Sequence, residues 1–83
     1  MSSQTEQTTV PGVAEQGSHH FLITLQRPTG SGFGTADWSG TWTPPPGTTR
    51  ADGYARIRAD IAAAHPEFAQ ANVVFFTLEP NRL

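Results

Sequence analysis

The chain carries few side chains able to do chemistry, and their spacing limits what each can do. His19 and His20 are adjacent, Glu15 lies just upstream, and His65 is the third imidazole. Neighbouring residues of an extended segment point to opposite faces, so His19 and His20 do not close on one metal ion. They read as a polar lead-in to a strand. His65 falls where a helical stretch should end, a place that suits an imidazole near the last carbonyls. Ser31 and Ser39 lack the strand–turn–helix context of an activated serine. Asp37, Asp52, Asp60, Glu67 and Glu79 are spread along the chain and form no acid–base pair. The run Gly30-Ser31-Gly32-Phe33-Gly34 could cradle a phosphate through its N–H groups. It matches neither the dinucleotide fingerprint nor the P-loop, it leads into a strand, and the chain has no Lys to serve a P-loop. Trp42-Thr43-Pro44-Pro45-Pro46 lacks the spacing of a polyproline ligand and reads as a stiff connector. With Cys absent, a thiol nucleophile, a thiolate zinc site and a disulfide framework are all excluded. No residue is left for a catalytic, cofactor-binding or metal-binding role, and no small-molecule site is evident. The expectation is a protein that is not an enzyme.

Composition narrows the remaining classes. The 83 residues are 36% hydrophobic and 14% charged, with a formal charge of −2. That is enough apolar material for one small core, and the acidic balance opposes binding to a polyanion by bulk charge. All basic side chains are Arg, among abundant Ala, Gly, Pro and Thr. This bias is usual where coding DNA is GC-rich, and points to a small bacterial protein. No apolar run approaches the roughly 20 residues needed to cross a bilayer. The first eighteen residues lack a basic and an apolar signal region, so a cytoplasmic location is expected.

Elements able to position these residues begin near His19. Residues 1–18 are polar apart from Met1, Val10, Val13 and Ala14, and read as a disordered tail. Residues 19–83 read as a single domain. Phe21–Leu25 predicts a strand closed by Pro28 and Gly30, with Phe21, Ile23 and Leu25 on one face. A loop over Thr29–Gly34 leads to a second strand, Thr35–Thr43, in which Trp38, Gly40 and Trp42 share a face. Pro44-Pro45-Pro46-Gly47 ends it. Thr48 or Thr49 then caps a helix running to about Ala64, with Asp52 placed for a capping box. Tyr54, Ile57, Ile61 and Ala64 form its apolar stripe. Asp52 and Arg56 are spaced for an ion pair worth about 0.2–0.5 kcal/mol, and Gly53 should weaken the first turn by about 1 kcal/mol. Phe68 follows as a plug for the end of the core. Val73–Leu78 predicts a third strand, stopped by Pro80. The result is an α+β domain, β-β-α-β, with one helix on one face of a mostly antiparallel three-stranded sheet. A right-handed crossover over the first strand gives the strand order 2-1-3.

The surplus of apolar side chains carries the functional expectation. One helix covers one sheet face, yet the third strand is apolar on both. The helix stripe is too small to cover Leu22, Val74, Phe76 and Leu78 as well as Trp38 and Trp42. The third strand can turn Val73 and Phe75 inward and Phe76 outward, or the reverse. The first is favoured because Phe75 then joins Phe21, Ile23 and Leu25, and the six left uncovered form an exposed surface for a second copy of the chain or another protein partner. Folded over the sheet instead, Trp38 and Trp42 would close a monomer core. The alternative function is single-stranded nucleic-acid binding, with Trp38, Trp42 and Phe76 stacking bases. Arg27, Arg50, Arg56, Arg58 and Arg82 would then meet phosphates. The acidic balance and the missing aromatic motif of RNA-binding sheets oppose that reading.

Overall fold

A computed structural model describes residues 16–83. The elements are β1 (His19–Thr29), β2 (Gly32–Trp42), α1 (Arg50–Ala64), a 3₁₀ turn (Pro66–Phe68) and β3 (Asn72–Pro80). The sheet order is β2-β1-β3, and β1 is antiparallel to both neighbours. The α+β architecture is thus the β-β-α-β arrangement that the sequence predicts. Of the expected tail, residues 1–15 lie outside the described residues. The Gly17 and Ser18 N–H groups donate to the Thr41 and Thr43 hydroxyls, and Asn81 N–H donates to the Ser18 carbonyl.

The hairpin is longer than its hydrophobic run implies. β1 and β2 stay paired to Thr29↔Gly32, so the glycine-rich run is strand and hairpin tip, joined by Gly30-Ser31, instead of an open loop. Pro28 is tolerated because β3 leaves β1 at Gln26↔Asn72. Beyond that point only one side of β1 is paired, and a residue without an N–H can sit in the ladder. The proline run ends in a tight turn. Thr48 N–H donates to the Pro45 carbonyl at 3.1 Å, and Gly47 takes φ 87° at the position where such a turn requires positive φ.

α1 starts with the predicted capping box. Asp52 N–H donates to the Thr49 hydroxyl at 3.0 Å, and Thr49 N–H donates to the Asp52 carboxylate at 3.2 Å. This engagement alters the expected ion pair. Asp52 faces the cap, and Arg56 turns the other way to Asp60, 3.2 Å off. At the far end His65 closes the helix with its backbone N–H on the Ile61 carbonyl. Arg58 donates to the Tyr54 hydroxyl and the Ala71 carbonyl, clipping the helix to the chain entering β3.

The core is small and centred on β1. Ile23 and Leu25 have no exposure, and Ile57, Ile61 and Ala71 complete the cluster. Ala64, expected on the buried stripe, is exposed. The helix backbone approaches that of the sheet within 8 Å only at β3. Gly53 explains this. A Cβ there would meet Leu78 Cδ2 at 2.7 Å and Trp42 Cζ3 at 3.2 Å. The residue expected to weaken the helix is therefore the one that seats it.

Two substitutions probe this packing. Ile57→Ala and Ile61→Ala should each cost about 2–5 kcal/mol by urea denaturation, as buried aliphatic truncations do. Gly53→Val should destabilise by about 1–3 kcal/mol through overpacking, although valine is a better helix former than glycine.

Candidate functional site

The two faces of the sheet differ in kind. Toward the helix, β1 presents Phe21, Ile23 and Leu25, and β2 presents Trp38 and Trp42. The opposite face carries Leu22 and Thr24 of β1, with exposed Asp37, Ser39 and Thr41 on β2. Apolar side chains on this outer side are Phe33, 67% exposed near the hairpin tip of β2, and a group toward β3. In the register Leu22 pairs with Thr77 and Thr24 with Phe75, which places Phe75 next to Leu22 on the outer face. A register shift between Thr24 and Leu25 inserts one extra residue, Val74, into β3. Three consecutive large apolar side chains are thereby left partly exposed: Phe75 at 50% on the outer face, the extra residue Val74 at 58%, and Val73 at 36%, opposite Leu25 at the margin of the helix side.

Four of the six expected contact residues are elsewhere. Phe76 packs edge-on against Tyr54, with ring centroids 5.1 Å apart, so Phe75 and not Phe76 is the outward ring. Leu78 is buried in the hollow left by Gly53. Trp38 packs edge-on against Phe68 at 5.1 Å and tilts against His65. Trp42 also abuts Gly53, and the Arg56 guanidinium lies 5.9 Å from its ring centroid. All four face the helix. The two indoles are half-buried and do close over the sheet, which is the monomer-core arrangement. Leu22 remains on the uncovered side, and Val74, the extra residue of the register shift, is solvent-exposed. The rings proposed to stack bases, Trp38, Trp42 and Phe76, are likewise on the helix side and do not form an open platform.

Phe75 takes the outward place that the sequence reading gives to Phe76, and a signal for this exists in the helix. Gly53 beside Tyr54 makes a hollow next to a ring, and Leu78 and Phe76 fill and face them in turn. Since Phe76 and Leu78 share parity, Phe75 must turn outward.

The titratable residues do not converge. His19 accepts from or donates to Ser18 Oγ at 2.8 Å and His20 faces the other side. Among the described residues no three His, Asp or Glu side chains gather around a point that could hold a metal ion. No helix among them is long and apolar enough to cross a membrane. The chain matches no family model, no curated protein and no solved structure.

The two adjacent phenylalanines should respond differently. Phe75→Ser should cost no more than about 1 kcal/mol, as a half-exposed surface change. Phe76→Ala should cost about 3 kcal/mol by emptying the space against Tyr54. Both are read from denaturation midpoints at unchanged slope.

Proposed function

We propose that the domain is a non-catalytic interaction module that self-associates through β3. The observation that carries this is the exposed run Val73-Val74-Phe75 on a strand whose outer edge is free among the described residues. Exposed apolar side chains on an unpaired edge favour addition of another strand, because backbone bonds and side-chain burial are gained together.

The other free edge supports the choice by contrast. β2 carries a charge, Asp37, at mid-strand and glycines at 32, 34 and 40. Two β2 edges meeting about their centres would oppose Asp37 to Asp37, and the one strongly exposed apolar side chain of β2, Phe33, stands alone near the hairpin tip. β3 has no charged residue from Asn72 through Leu78. Antiparallel pairing of two β3 edges about Phe75 would bring ring to ring and leave Glu79 away from its counterpart, a two-fold arrangement that is self-complementary. Leu22 would extend the apolar strip on the outer face.

The reading is tested by light scattering across a concentration series. The chain should move from monomer to dimer with little response to salt, because the contact is apolar. Val74→Lys, a charge of the kind that blunts natural edges, should hold it monomeric while changing stability by less than about 1 kcal/mol. A monomer at every concentration would remove the basis for self-association. Binding that weakens steeply with salt in the presence of single-stranded nucleic acid would favour the alternative partner.

A further inference from the structure

On the helix side of the sheet, a cleft of about 260 Å³ opens between α1 and β2. It exists because the helix is drawn toward β3 by Gly53, while β2 is reached only through side chains. Trp38, Trp42, Phe21, Ile57 and Ile61 supply its apolar lining, and Ser39 and Thr41 border it on the β2 side. Arg56 and Asp60 lie on its helix-side lip, paired at 3.2 Å and both largely solvent-exposed. The Arg56 guanidinium also sits 5.9 Å from the Trp42 ring centroid, within range of a cation–π contact. The lip thus already holds a planar cation against the two groups that recognise one, a carboxylate and an indole face.

We propose that this cleft is a binding site for a small organic molecule that joins an amidinium or guanidinium head to an apolar body. The head takes the place of the Arg56 guanidinium, against the Asp60 carboxylate and the Trp42 ring. The body enters the space over Phe21, Ile57 and Ile61, which Arg56 leaves unfilled. Arg56 is then a tethered competitor, not a ligand-binding residue. It swings into solvent when the site fills, at the small cost of releasing an exposed ion pair. Charge selects the ligand: an anion would meet Asp60, and a neutral molecule would have to leave the Arg56–Asp60 pair over the opening. The site is separate from the β3 edge and does not depend on self-association.

The test uses benzamidine, with neutral benzamide as its planar counterpart, on the full chain. The chain has two tryptophans, and both wall the cleft, so their indole N–H resonances report on it directly. Benzamidine should shift both saturably, and benzamide should bind several-fold more weakly. Arg56→Gln should tighten benzamidine binding about two- to five-fold, the scale of the exposed pair it removes. Asp60→Asn should weaken it by at least as much. Both positions are exposed, and unchanged Phe76 and Leu78 resonances verify the fold. Equal binding of benzamide and benzamidine would overturn the proposal in favour of an apolar cleft without charge selection. Unmoved indole signals, or weaker binding after Arg56→Gln, would overturn it as well.

Discussion

Ile23 and Leu25, the two side chains with no solvent exposure, set the terms for the rest of the molecule. A single 15-residue helix must shield them, and its contribution at the centre is Ile57 and Ile61. So narrow a stripe cannot cover a sheet whose middle strand is flanked on both sides. The shortfall is met by rings from the sheet itself. Phe76 rises to Tyr54 on one side, and Trp38 rises to Phe68 and His65 on the other. These aromatic contacts supply large buried area from few residues, which a domain of this size needs.

The uneven seat of the helix follows from the same shortage. Gly53 lets α1 sink against Leu78, and the opposite flank must then be bridged by indoles that reach across a gap. One glycine therefore determines both features of interest. It draws Leu78 and Phe76 inward, which turns Phe75 out, and it leaves the aromatic-walled cleft beside β2. The exposed strip and the cleft are two results of one asymmetric packing.

Features fixed by local chemistry were legible in the sequence. Thr49 and Asp52 announce their capping box because both partners lie within one turn, and the helix ends where Pro66 forces it to. Strand order was legible because the handedness of the crossover leaves one arrangement. The orientation of β3 was not. Val73 to Phe76 are four consecutive apolar residues, so no alternation marks the inner face, and the extra residue at Val74 breaks parity within the run. Spacing alone pairs Arg56 with Asp52, because it does not reveal that the cap already occupies that carboxylate. Pro28 and the glycines from 30 to 34 suggested a loop because their own preferences oppose a strand. The long pairing with β2 overrode them.

The strand order also shapes the route to the folded state. The hairpin of β1 and β2 closes across two residues, so its contacts are local and form on the order of microseconds. β3 must instead find β1 across the helix and turn that separate them, with Phe21 meeting Leu78. Contacts of such long separation carry the larger loop-closure cost and come late. A chain caught before that step displays not only the outer residues of Val73-Val74-Phe75-Phe76 but the inner ring as well, on a strand with no partner at either edge. A change that loosens β3 is therefore expected to speed unfolding while scarcely altering how fast the hairpin and helix re-form.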